Sequence, residues 1–177
     1  MNRKRIAIAG LALFASACSS SATGGAAKPV TTAETTTSTT SSSASGVDLA
    51  SLKPCELVTG TEASGLGFSS PAPRRAAGAD TCEWDSSDGG LTVALNAKIS
   101  AESLDFGSYT KTPAEFGKYS GFTARPKQDN GACQVVISVS DSSSVQVVAN
   151  ADVANRNSAK ACELAEKSAD FVAAKLP

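Results

Sequence analysis

The clearest period along the chain is two. Cys133-Gln-Val-Val-Ile-Ser-Val139 and Val145-Gln-Val-Val148 are rich in β-branched residues, and Asp141-Ser-Ser-Ser144 between them supplies a turn, so the pair predicts two adjacent strands. Upstream, Thr81-Cys82-Glu83-Trp84-Asp85 and Leu91-Thr-Val-Ala-Leu95 flank Ser86-Ser-Asp-Gly-Gly90, the pattern of an antiparallel hairpin. A further strand is expected around Gly121–Ala124. The stretch from Ala101 to Gly117 follows neither period and reads as a loop with short helical turns near Glu102–Asp105 and Pro113–Phe116. From about Ser158 to Lys175 the period lengthens: Ala161, Leu164, Ala165, Phe171, Val172 and, just beyond, Leu176 fall near helical spacing, which predicts an amphipathic helix laid on the sheet.

Two shorter helical elements are expected before the strands. Asp48–Val58 reads as a short helix with Pro54 near its first turn, where a missing N–H costs least. Thr59-Gly-Thr-Glu62 has capping-box spacing, in which hydroxyl and carboxylate satisfy free backbone donors reciprocally, and Gly65 supplies a stop. The expected architecture is therefore α+β: an antiparallel sheet with short N-terminal helices and a C-terminal helix packed on it, in one domain spanning residues 47–177.

The N-terminal part follows a different logic. Arg3-Lys4-Arg5 is a cationic leader, and the apolar run Ile6–Phe14 is too short for a stable membrane span, so residues 1–17 read as an export signal. The run ends in Ala15-Ser16-Ala17-Cys18, which resembles the lipobox of bacterial lipoproteins, with alanine at position 15 where leucine is commoner. The resemblance implies diacylglycerol on Cys18, and acyl chains carrying roughly 0.8 kcal/mol per buried methylene would anchor the chain without spanning the bilayer. The competing reading is a plain secretory signal cut after Ala17, leaving Cys18 as a free thiol. Against it, Cys18 stands alone at the head of a Ser/Thr/Ala tract, and removing it leaves four cysteines, an even number. Residues 19–46 are almost wholly Ser, Thr, Ala and Gly, so residues 18–46 read as a lipidated cysteine and a disordered tether with a reach of roughly 30 Å. Thr35–Ser43 also suits O-glycosylation, the spacer reading being the simpler one.

Cys55 falls in the first helical unit, Cys82 in the first strand, Cys133 at the head of a central strand and Cys162 in the last helix. Four cysteines permit three pairings; the sequence-local pairs Cys55–Cys82 and Cys133–Cys162 are expected, each of which would tie a helix to the sheet. In the chain-entropy model each closure is worth ~3–4 kcal/mol. Redox catalysis is the sharper alternative, but the chain has no C-x-x-C and each cysteine sits in a periodic, core-forming segment.

Composition narrows the function. The 177-residue chain has no histidine, which removes the imidazole base, the Ser-His-Asp triad, the Cys-His dyad and His-ligated zinc. Of 16 basic residues three lie in the leader, so 13 remain against 17 acidic ones, and only Arg74-Arg75 cluster. No aromatic residues interleave with a basic stripe, which argues against nucleic-acid binding.

In their order, Leu52-Lys-Pro-Cys55-Glu-Leu57, Cys82-Glu-Trp84, the Cys133 strand, Asp141-Ser-Ser-Ser-Val-Gln146 and Cys162-Glu-Leu-Ala, behind a lipobox and a tether, resemble the actinobacterial lipoproteins grouped as domain of unknown function three-five-five-eight. The likeness covers Leu49–Pro177. It implies an envelope-anchored lipoprotein with no assigned reaction, and it supplies no catalytic residue.

Candidate chemistry is sparse. Ser108-Tyr-Thr-Lys111 matches the S-x-x-K spacing of penicillin-recognising enzymes, but neither Ser-Asp-Asn nor Lys-Thr-Gly appears. Glu83, Asp85 and Asp88 are carboxylates that could meet a hard cation or, with Trp84, a sugar, although turn chemistry explains acidic residues at a hairpin equally well. Trp84 is expected in the core. Tyr109, Phe116, Tyr119 and Phe122, with Trp84, are the candidate lining of an apolar groove. No catalytic residue, metal site or cofactor is expected. The leading expectation is a non-catalytic binding or accessory lipoprotein at the outer face of the cytoplasmic membrane, whose partners are the membrane, through the anchor, and an envelope component or protein. A histidine-independent envelope hydrolase and a purely structural or antigenic surface protein are the alternatives.

Overall fold

The computed structural model describes residues 48–151, 154 and 156–177; the leader, Cys18 and the tether lie outside them. Seven antiparallel strands form one sheet: β1 (Ala72–Ala76), β2 (Ala79–Ser86), β3 (Gly89–Asn96), β4 (Tyr109–Phe116), β5 (Tyr119–Pro126), β6 (Ala132–Ser140) and β7 (Ser143–Ala151). Their order is β1-β2-β3-β7-β6-β5-β4. Two meanders thus meet at the β3–β7 seam. After β3 the chain must pass three strand positions to begin β4 at the far edge, and residues 97–108 make that crossing.

Alternation on the central strands explains how one face closes. Register aligns Leu91, Ala149 and Cys133, then Val93, Val147 and Val135, then Leu95, Val145 and Ile137 across β3, β7 and β6. All nine are buried. Fully burying one Val, Leu or Ile side chain is worth about 1.5–3 kcal/mol, so these rows supply much of the fold's driving force.

On this face lies α1 (Gly60–Gly65), preceded by 3₁₀ turns at Leu49–Ser51 and Pro54–Glu56, and α2 (Ser158–Ala173). The buried stripe of α2 is made of small residues, Ala161, Ala165, Ser168, Ala169 and Ala173, plus Val172, which lets the helix sit close to the sheet. Leu164 and Phe171, expected among the buried positions, are only partly covered. The Asn157 side chain caps α2 by accepting from Lys160 N at 3.0 Å.

Several expectations change. The predicted helix over Asp48–Val58 is two 3₁₀ turns, because Pro54 holds Lys53 in an extended conformation (φ −107, ψ 119) and divides the segment. Thr59 and Glu62 do form the capping box at α1. Pro113–Phe116, expected as a helical turn, is the end of β4, whose position at the sheet edge accommodates a residue without an N–H. β1 was not expected; an edge strand with four of five residues exposed carries no alternation to read. Gly121 has a packing reason, since a Cβ there would lie 2.1 Å from Val136 O on the neighbouring strand.

The opposite face carries a second, smaller core. Ala101 and Phe106 of the crossing pack with Ala124 and Val136, joined by the partly buried Leu104, Tyr109 and Phe122. The Ser144 hydroxyl pins the crossing by donating to Ile99 O at 2.8 Å.

Candidate functional site

The four domain cysteines pair as Cys55–Cys82 and Cys133–Cys162, with Cα atoms 5.0 and 4.9 Å apart, as their positions predicted. Each bridge ties a helical element to a strand: the Pro54–Glu56 turn to β2, and α2 to β6. Cys82 and Cys133 are fully buried while Cys55 and Cys162 are half-buried, so one sulfur of each pair borders a surface depression. Cys18 lies outside the described residues.

The five candidate groove aromatics are not brought together. Trp84, Phe116 and Tyr119 belong to the main core, and Trp84 is fully buried. The Tyr119 hydroxyl donates to the carbonyl of Pro177, fastening the C-terminus to β5. Tyr109 and Phe122 lie on the other face, where both rings meet Phe106 edge-on at 5.5 and 5.2 Å. Sequence spacing could not assign Tyr109, Phe116 and Tyr119 to faces, because β4 was not legible and the strand expected around Gly121–Ala124 stopped short of Tyr119.

Nor does the structure assemble the other candidates. Ser108 lies in the turn before β4 and Lys111 is the third residue of the strand, and no hydrogen bond joins their side chains. Lys111 Nζ instead sits 4.7 Å from the Phe122 ring centroid. Glu83 pairs with Arg74 at 3.5 Å, and Asp88 N donates to Ser86 Oγ within the hairpin turn. Trp84 points into the core, away from its strand neighbours Glu83 and Asp85. Among the described residues no group of three or more Cys, Asp or Glu side chains is placed to hold a metal ion.

Two depressions of small-ligand size border the disulfides. One, of about 540 Å³, lies between α2 and the β4–β5 hairpin. Cys162, Glu166 and Asp170, one helical turn apart along α2, line it on one side, and Thr112, Thr123 and Arg125 line it from the strands. The buried Thr123 hydroxyl donates to Glu166 Oε1 at 2.9 Å and fixes that carboxylate. These residues were not read as a site from sequence: the i, i+4 carboxylates resemble any solvated helix face, and only the register places Thr112 opposite Thr123. The other depression, about 590 Å³, runs between residues 50–56 and the β1–β2 edge, where Leu52, Pro54, Pro71 and Pro73 make it more apolar. Thr81 lines it, and its buried hydroxyl has no hydrogen-bond partner.

Two carboxylates outside these depressions are tuned by their surroundings. Burial raises the Glu62 pKa, but hydrogen bonds from Lys175 and from the Thr59 N–H and hydroxyl, with the Lys175 charge, outweigh it and leave the group below its ordinary value. Lys175 Nζ reaches Glu62 Oε2 at 2.7 Å and Leu57 O at 3.0 Å, tying the end of α2 to α1. Asp129 is lowered chiefly by the Ser158 hydroxyl, then by the N–H groups of Gly131 and Ser158, against an opposing burial effect and with the Arg125 charge contributing least. It thereby holds the first residue of α2 from the β5–β6 loop.

No curated protein and no solved structure matches the chain. A family model does match, over residues 13–175, and on that extent the chain belongs to the family described as Protein of unknown function (DUF3558).

Proposed function

We propose that this chain is an exported lipoprotein, anchored through Cys18 to the outer face of the cell membrane, whose α+β domain is a non-catalytic binding or accessory module for an envelope component or protein. The pair of disulfides carries the export half of this reading. Two structural bridges, each with its more sheltered sulfur fully buried, suit an oxidising compartment and not a reducing cytosol. The lipobox supports the anchor, and the family match begins at residue 13, so it includes Cys18. Among the described residues no helix is long and apolar enough to cross a membrane. The two depressions support the binding half; the hydrolase alternative draws no support from Ser108 and Lys111, which do not meet.

Mass spectrometry of membrane-extracted protein tests the anchor. The expected product begins at an acylated Cys18; an unmodified N-terminus at Cys18 or later overturns it. Native mass spectrometry of the oxidised chain, incubated with a detergent-free envelope extract, tests binding. A retained species of defined mass is expected, and bare protein alone counts against the module.

A further inference from the structure

We propose that the cleft between α2 and the β4–β5 hairpin binds a small zwitterion, a short peptide with free termini, its ammonium group at Glu166 and Asp170 and its carboxylate at Arg125. The proposal rests on the binding-module reading and gives that module a ligand class.

The argument starts from charges that share a cleft without meeting. Glu166 and Asp170 line it from the helix and Arg125 from β5. The ion pairs among the described residues are Lys53–Glu56, Arg74–Glu83, Arg75–Asp80 and Lys175–Glu62, and none involves these three side chains. A ligand carrying one sign would be attracted by one side of the cleft and repelled by the other. A molecule with an ammonium and a carboxylate separated by a short backbone satisfies both.

The rest of the lining suits a peptide. Thr123 already holds one oxygen of Glu166, which orients the carboxylate and leaves its second oxygen for an incoming N–H. Thr112, opposite Thr123 in the register, offers a further hydroxyl to a peptide group. Phe116 and the half-buried Cys162 add apolar surface for small side chains, and about 540 Å³ leaves room for more than a single amino acid. Glu115 adds a third carboxylate, so the ammonium end is the better served of the two. All four charges are exposed to solvent, so binding should be weak and salt-sensitive.

The test is a chemical-shift titration of the ¹⁵N-labelled, oxidised full chain with alanyl-alanine, N-acetyl-alanyl-alanine and alanyl-alanine amide. Alanyl-alanine is expected to shift the amides of Thr112, Thr123, Glu166 and Asp170, with each blocked form about five-fold weaker. In Arg125→Gln the free and amidated peptides should bind alike; in the double variant Glu166→Gln, Asp170→Asn the gap between the free and acetylated peptides should narrow. That exchange of preferences is a readout a merely unfolded or loosened variant would not produce. No shift up to about 10 mM peptide, shifts confined to other surfaces, or equal binding of all three peptides overturns the proposal. If alanyl-alanine fails while the envelope extract still yields a retained species, the ligand class is wrong and the binding module stands. If both fail, the module reading falls as well.

Discussion

The two faces of the sheet are closed in different ways. On one, rows of Leu, Val, Ile and Cys from β2, β3, β7 and β6 meet the small-residue stripe of α2, and two disulfides pin the covering elements down. On the other, residues 97–108 cover only part of the surface with Phe106, Leu104 and Ala101, and beside that satellite core side-chain amides take over. There Asn96 donates to Gln146, Gln146 to Gln134, and Gln134 to the Tyr109 hydroxyl, at 3.2, 3.1 and 3.0 Å, a hydrogen-bonded chain crossing from β3 to β4. The first face is a dry, cross-linked core in which volume decides stability. The second is a half-wet surface in which polar satisfaction decides it, and the difference predicts unequal responses to equivalent damage.

The largest effect should come from the dry face. Trp84→Ala is expected to cost about 4 kcal/mol in urea unfolding, whereas Phe106→Ala, under the loop, should cost about half as much because the crossing can settle into the space. An equal or larger loss at Phe106 would mean that the satellite core is the tighter one. Next, Cys133→Ser with Cys162→Ser should lose ~3–4 kcal/mol, from a bridge spanning a sequence separation of 29. Since the bridge joins α2 to β6, hydrogen exchange in that variant should rise first in α2 and leave the Gln134–Gln146 strands protected.

A smaller effect has the opposite sign. Ser168 is fully buried on α2 and its hydroxyl has no hydrogen-bond partner, so Ser168→Ala should stabilise by about 1 kcal/mol through removal of a stranded polar group and better helix propensity. Gln134→Ala, on the half-wet face, should instead cost about 1 kcal/mol, because it breaks two links of the amide chain. Thermal denaturation of the two variants side by side would sharpen or erase the contrast.

The smallest effect is in the acid limb. The Glu62 pKa is lowered in the folded protein, so its contribution is present above the ordinary carboxylate range and is lost as pH falls through the lowered value. Lys175→Met should reduce stability near neutrality by about 1 kcal/mol or less and flatten the dependence of melting temperature on pH below about 4. Asp129→Asn should flatten it in the same direction, by releasing the start of α2. An unchanged acid slope in both variants would show that neither carboxylate contributes.

What could be read beforehand follows the same division. β6, β7 and the β2–β3 hairpin announced themselves because one side of each strand is buried, so their alternation is imposed by the core. The pairing of Cys55 with Cys82 and Cys133 with Cys162 was legible only as the sequence-local choice; Cys55–Cys133 with Cys82–Cys162 would equally have joined helical segments to strands, and the structure decides between them. β1 and β4 were illegible: they are edge strands with mainly exposed residues, and each contains a proline, Pro73 or Pro113, a residue type depleted in strands. The cleft on α2 was hidden for a related reason, since Glu166, Asp170 and Arg125 are ordinary surface charges until register and helix docking put them in one depression.

The sequence by itself determined the absence of imidazole chemistry, limited the four domain cysteines to three pairings and marked the elements that face the main core, because each depends on residue type or on a period enforced by burial. Only the tertiary structure decided the strand order, the route of residues 97–108 over the second face, the separation of Trp84 from Tyr109 and Phe122, and the meeting of α2 with the β4–β5 edge. Those features depend on which strands become neighbours, and edge pairing is settled by backbone hydrogen bonds that every residue type except proline can donate to and accept.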